Sequence, residues 1–248
     1  MSEFKALLVV WQDEYSRLFY HIGTLSYLNN HYKFVYTTTE RGSRKLGDAL
    51  DRGYMIHPAF PIIDKAYHSK TLFPAFDRRI PSSDRTDFHA ILSDLGLDER
   101  ASKMDILRAT RGRLASDAYS FEEPLRLGKD GKLHSNFFIH GIRHQNLPGE
   151  WPAYIKENPS LKLIQEPTNE YDPNAVAVYT IHGIKLGYIP SFYSKAISSL
   201  IDIGASLLIR TIYLNEKSHP HWWVKVKLEC ERPLERGTQP GELIPVMQ

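Results

Sequence analysis

Hydrophobic and polar positions alternate in strand fashion near the start of the chain. Ala6–Trp11 is a short apolar run, Leu18–Leu28 alternates loosely with Gly23 as a bulge or close approach, and Tyr32–Tyr36 alternates again. The polar stretch 37–53 predicts at most one helical turn, Lys45–Leu50. Residues 54–82 carry four prolines, which forbid a long helix or a central strand, yet they are rich in Phe, Ile and Tyr. They read as an ordered loop laid over a core. Phe88, Ile91, Leu92 and Leu95 have helical spacing after a cap at Ser83 or Asp84, and Gly96 ends that helix. Met104, Ile106, Leu107 and Ala109 predict a second helix, Ser102–Thr110, which Arg111-Gly112-Arg113 breaks before a strand at Ala118–Glu122.

Leu125–Lys132 is polar, holds two glycines and has no period, so it reads as the domain boundary. A strand at Phe137–Ile142 and a short helix at Trp151–Glu157 follow. Leu161–Pro190 then reads as strand, polar turn, strand, short turn, strand. Ser191 caps a helix to about Ile203 whose apolar stripe is Tyr193, Ala196, Ile197, Leu200 and Ile201. Leu207–Leu214 and His221–Cys230 form a hairpin. The expected class is α+β: an α+β domain over residues 1–128, a small, mostly β barrel or curled sheet with two helices over 133–232, and a loosely ordered tail over 233–248.

Hydrophobic residues are 42% of the 248 and aromatics 12%, enough for two cores. The net charge of +2 excludes a globally basic surface, and so does each part: 19 Lys/Arg against 18 Asp/Glu up to residue 130, and 12 against 11 after it. Any nucleic-acid site must therefore be local. Cys230 is the only cysteine and lies in the strand pattern VKVKLEC, so it reads as a packed thiol in a reducing compartment. The start MSEFKALLVVWQDEYS has no basic n-region and no cleavage site, and no run is long enough to span a membrane. A cytoplasmic protein without a membrane partner is expected.

The candidate chemistry gathers in Glu166–Asn174, which packs two prolines, two asparagines and three carboxylates around Tyr171. Tyr171 stands between Glu170 and Asp172, which keeps it out of the core. Asp172, ahead of Pro173-Asn174, can bond its own downstream backbone in an Asx turn. Glu166, Glu170, Asp172 and Lys185 match no nuclease spacing. His219-Pro220-His221 lacks a third metal ligand and reads as a polar hairpin tip. No metal, cofactor or catalytic residue is expected. Trp222 and Trp223 open a strand, one ring facing in and one out. Arg41, Arg44 and Lys45 read as a solvated run. Arg78 and Arg79 read as pairing with Asp77 or Asp84, and Arg111 and Arg113 as charges complementing a helix C-terminus.

Glu166, Pro167, Asn169, Tyr171, Asp172, Asn174, Ala175, Val176 and Val178, followed by Gly183, Leu186, Gly187, Tyr188 and Pro190, closely resemble the signature of HIRAN domains. The resemblance covers roughly 135–231. It implies a modified OB-like barrel that captures the 3′ end of single-stranded DNA. It gives Tyr171 a stacking role and Asp172 a hydrogen bond from the terminal 3′-hydroxyl. It makes Arg143, in His140-Gly141-Ile142-Arg143-His144, a phosphate contact on the first strand. His144, Asn169 and Tyr188 complete the expected DNA-binding set. Three positions depart from the pattern: His144 and Gln145 stand where a Tyr-Tyr pair is expected, and Ser191 where a lysine is expected.

Ile22-Gly23-Thr24-Leu25, Tyr32–Tyr36, Leu72–Pro81 and Leu95-Gly96-Leu97 resemble the N-terminal subdomain of HipA-type kinases over about residues 6–123. The asparagine of that family's turn is Arg78 here. The chain has no glycine-rich phosphate loop and no catalytic loop, so phosphotransfer is not carried over. This resemblance implies a protein-partner role in a toxin–antitoxin setting, with a separate HipA-type kinase as partner. The two expectations are thus a non-catalytic protein that binds single-stranded DNA or its 3′ ends, and an antitoxin-like component that binds a kinase without DNA.

Overall fold

A computed structural model describes residues 5–42, 44–128, 130–233 and 244–245. The chain divides into two compact units that meet between Glu123 and Pro124.

The first unit is a five-stranded antiparallel sheet. Its strands are β1 (Lys5–Gln12), β2 (Phe19–Leu28), β3 (His31–Tyr36), β4 (Tyr67–Ser69) and β5 (Tyr119–Glu122), in the order β4-β3-β2-β1-β5. Its helices are α1 (Leu46–Asp51), α2 (Pro74–Asp77), α3 (Phe88–Asp94) and α4 (Lys103–Thr110). The proline-rich stretch does lie over the core: Tyr54, Phe60, Leu72, Phe73 and Phe76 join Leu7, Ile22, Phe34 and Phe121 in one buried cluster. Gly23 marks the β1–β2 bulge, and a Cβ there would meet the Phe34 ring at 2.5 Å. Ser102 caps α4 in a reciprocal pair with Asp105.

Three local expectations are corrected. α3 begins at Phe88 rather than near Asp84, because residues 82–87 form turns closed by Arg85 N to Ser82 O and Phe88 N to Arg85 O. Arg79 pairs with neither Asp77 nor Asp84. Its guanidinium is buried, grips both oxygens of Asp117, and donates to the Gly112 carbonyl at 3.0 Å. Arg111 does not complement a helix end from solvent. It takes the left-handed conformation at the α4 C-cap, and its buried side chain forks onto Glu122 of β5, Nε reaching the two oxygens at 2.9 and 3.0 Å.

The second unit holds β6 (Arg126–Leu127), β7 (Leu133–Phe138), α5 (Trp151–Glu157), β8 (Ser160–Gln165), β9 (Val176–Thr180), β10 (Lys185–Tyr188), α6 (Ser191–Asp202), β11 (Leu207–Leu214) and β12 (Val224–Cys230). The sheet order is β10-β9-β8-β11-β12-β7-β6, with Ile244–Pro245 paired in parallel beyond β6. Past β7 the chain returns to the opposite edge. His140 and Tyr188 form an antiparallel bridge, so β7, β12, β11, β8, β9 and β10 close into a ring. Val176, Val178, Leu186, Val224, Val226 and Leu228 point inward, and α6 buries Tyr193, Ile197 and Leu200, with Tyr193 5.5 Å from the Phe137 ring.

The segment read as the domain boundary carries β6, which pairs with β7, because Arg126 and Leu127 find extended partners in His134 and Leu133. Pro190, not Ser191, is the N-cap of α6. Trp222 and Trp223 do not open a strand. Pro220 starts a 3-10 turn through Trp222, and β12 begins only at Val224. Trp223 stacks on Trp151 at 5.8 Å and donates its indole N–H to the Ser218 carbonyl at 2.7 Å. The tail expected to be loose lies outside the described residues apart from Pro233 and Ile244–Pro245. No described helix is long and apolar enough to cross a membrane.

Candidate nucleic-acid interface

The 166–174 turn is ordered by its own side chains. Glu166 N donates to Ala175 O at 2.8 Å and Asn169 N to Glu166 O at 2.9 Å, which closes the base. The Asn169 side-chain oxygen then accepts from the backbone N–H groups of Tyr171 and Asp172, at 3.0 and 3.2 Å. Asp172 Oδ1 accepts from Asn174 N at 2.9 Å, the expected Asx turn. The local bonds leave Tyr171 75% exposed while the neighbouring Asp172 is only 8% exposed. A planar ring faces solvent beside a sheltered carboxylate.

Below the turn lies a network absent from the sequence reading. Lys185 Nζ donates to Glu166 Oε1 at 2.6 Å and to Tyr188 Oη at 2.7 Å, and Tyr188 Oη donates to Glu166 Oε2 at 2.8 Å. Asn169 Nδ2 reaches Tyr188 Oη at 3.3 Å. Desolvation works against the Glu166 carboxylate, but the bonds from Lys185 and Tyr188 outweigh it and hold its pKa below the ordinary value. Desolvation likewise opposes the Lys185 charge, and Glu166 with Tyr188 raises its pKa nonetheless. Residues three apart lie on opposite faces of a regular strand. A bulge in β10 pairs Lys185 with Tyr179 but Gly187 with Val178, and so brings Lys185 and Tyr188 onto one face. Without that bulge in view, spacing gives no sign that Lys185 belongs here. Glu166 is thereby engaged by a lysine and a phenol. Among the described residues no group of His, Cys, Asp and Glu is gathered tightly enough to hold a metal ion.

The other wall is a turn rather than the expected strand. β7 ends at Phe138, and Gly141, with φ of 72°, diverts the chain into a 3-10 turn, Ile142–His144. Arg143 and His144 are both exposed, and Arg143 Nε donates to His144 Nε2 at 2.9 Å. Gln145 closes the turn through its side-chain amide to Gly141 O at 3.2 Å. Tyr188 joins the two walls. Its hydroxyl meets Glu166 and Asn169, and its backbone pairs with His140, three residues before Arg143. The structure thus ties Asn169, Tyr171, Asp172 and Tyr188 into one bonded unit and places Arg143 and His144 together on the adjoining turn.

Residues 132–234 match the HIRAN domain family, a span of less than half the chain that leaves the N-terminal unit outside it. Two solved structures are similar. A protein from Lactobacillus plantarum is 23% identical, with 40% of this chain and 96% of that chain covered and a TM-score of 0.33. The HIRAN domain of human HLTF is 18% identical, with 40% and 73% covered and a TM-score of 0.29. The curated proteins hold no match. The N-terminal resemblance to HipA-type kinases gains no support from these comparisons.

Proposed function

We propose that this chain is a non-catalytic nucleic-acid-binding protein whose HIRAN domain captures the 3′-hydroxyl end of single-stranded DNA. The observation that carries this reading is the pairing of an exposed Tyr171 with a sheltered Asp172 on a turn braced by its own side-chain hydrogen bonds. A base stacks on Tyr171 regardless of its identity, because every base has a π-face. The Asp172 carboxylate accepts a hydrogen bond from a hydroxyl and repels a phosphate, which selects an unphosphorylated end. Arg143, exposed on the adjoining turn, takes a phosphate of the same strand. His144 offers a second flat surface, smaller than a tyrosine.

Fluorescence anisotropy with a short single strand tests the reading. The strand ends in 3′-hydroxyl, in 3′-phosphate, or is recessed in duplex. Tight binding is expected for the free hydroxyl alone. Equal, weak binding of all three, unchanged by Tyr171→Ala, would overturn it.

A further inference from the structure

The outer face of β11, β12 and β7 takes no part in the end site. Along β12, Val224, Val226 and Leu228 are buried while Lys225, Lys227 and Glu229 face outward. Register sets the outward residues in rows across three strands. Tyr213 lies opposite Lys225, and Lys225 opposite Phe138. In the next row, Arg210 lies opposite Lys227, and Lys227 opposite Asn136. The β11 bulge makes Ile212 the extra residue and returns Tyr213 to the outward side. The rings form a continuous series. Tyr213 stands 6.4 Å from Phe138, edge-on, and Phe138 stands 5.1 Å from Trp222 on the Pro220–Trp222 turn. The Lys225 ammonium lies 5.7 Å from the Phe138 centroid. Tyr213 remains 47% exposed.

The rows carry three cations, Arg210, Lys225 and Lys227, against one carboxylate, Glu229, which lies 2.7 Å from Lys227 Nζ and 4.0 Å from the Arg210 guanidinium. Glu229 sits in the row furthest from the rings, opposite Leu208. Interleaved aromatic rings and cations on a barrel face match the pattern that binds single strands, where bases stack and ammonium groups follow phosphates. The row also runs into the end site. Phe138 is the last residue of β7, His140 makes the bridge to Tyr188, and Arg143 follows on the turn.

We infer that this face is the track for the body of a single strand whose 3′ end sits at Tyr171 and Asp172. The bases lie against Trp222, Phe138 and Tyr213, and the phosphates against Lys225, Lys227 and Arg210. The inference rests on the end-capture reading for its direction and on the face itself for its contacts.

Oligothymidylates of about four and about twelve nucleotides, spanning the usual site sizes of such barrels, are titrated onto the full chain, each with 3′-hydroxyl and with 3′-phosphate. The longer strand is expected to bind about tenfold or more tightly than the shorter. Tyr213→Ser and Trp222→Ala each remove most of that gain, and Lys225→Glu removes it while flattening the salt dependence. All three leave the preference for 3′-hydroxyl intact. Tyr213 is exposed, so its variant stays folded even if loss of Trp222 disturbs the hairpin, and thermal melting separates the cases. No gain with length, or a gain that survives the variants, overturns the track while the hydroxyl preference stands. Variants that alter sedimentation but not binding overturn it too, making the face a protein interface. A length gain without any hydroxyl preference overturns end capture and leaves the track.

Discussion

Tyr188 and His140 exchange both backbone hydrogen bonds, each at 2.9 Å, and that bridge closes the strand ring of the second unit. The same tyrosine hydroxyl holds the base of the 166–174 turn through Glu166 and Asn169. Both walls of the candidate site are therefore indexed to one residue of β10. Their spacing follows from ring closure rather than from a flexible loop.

Gly187 is the position at which the closure is most easily broken. A Cβ there would lie 2.3 Å from the His140 carbonyl oxygen, and the backbone φ is 142°, a region that side chains avoid. Backbone strain of this kind costs about 1–3 kcal/mol before the clash is counted. Gly187→Ala is expected to lower the unfolding free energy, measured by urea titration, by at least that much and to weaken binding at the turn. Gly183→Ala, where a Cβ meets nothing, pays the φ cost alone and loses less. Equal losses at the two sites would show that the seam is not tight.

The Glu166–Lys185–Tyr188 network gives stability a pH dependence with a defined sign. The folded carboxyl of Glu166 titrates below its ordinary 4.5. Its contribution is thus fully present above 4.5 and is lost as pH falls through the lower folded value. The folded Lys185 titrates above its ordinary 10.5, so its contribution is present below 10.5 and is lost as pH rises through the folded value. Glu166→Gln is expected to flatten the acid limb of the melting-temperature curve and to weaken the alkaline limb. Melting scans of wild type and variant across the acid range check this, and superimposable acid limbs would remove the network from the argument.

In the first unit the buried charge is the sensitive point. Arg79 is 6% exposed and its guanidinium is neutralised by Asp117. Asp117→Ala leaves a buried cation uncompensated, which costs about 3–5 kcal/mol. Arg79→Met in the same chain is expected to restore much of that loss, since the double variant buries no charge. Chemical denaturation of the two variants measures the recovery, and no recovery would assign the loss to packing instead.

In the first unit β1 is legible as a short apolar run, buried from Ala6 to Val10, and β3 by its alternation against the core, while Trp151–Glu157 in the second unit is legible by its length and flanks. What escaped were features set by pairing across the chain. β6 is two residues long and is defined by its pairing with β7 on one side and Ile244–Pro245 on the other. The partner of Arg79 is 38 residues away, beyond any local spacing. In the site, the Asx turn at Asp172 and the exposure of Tyr171 are readable from turn chemistry and Asn169 only from the HIRAN resemblance, whereas Lys185 is placed by a β-bulge that periodicity cannot register. Ile139 and Ile142 prolong the apolar pattern, so Phe137–Ile142 reads as a strand and the resemblance sets Arg143 on the first strand, but β7 stops at Phe138 and Gly141 at positive φ turns the chain.

Asp172→Asn separates a recognition role from a structural one at the centre of the site. Asparagine keeps an oxygen for the Asn174 amide and keeps the Asx turn, so stability is expected to change by no more than about 0.5 kcal/mol. The substitution removes the negative charge and puts an amide N–H where a carboxylate oxygen stood. Binding of a 3′-hydroxyl strand is then expected to weaken, while binding of a 3′-phosphate strand strengthens because the repulsion is gone. Opposite signs for the two ends cannot arise from a loosened turn, which would weaken both. Anisotropy titrations of the two strands against wild type and variant give the result directly. Parallel losses would reduce Asp172 to scaffolding and leave Tyr171 as the recognition element of the turn.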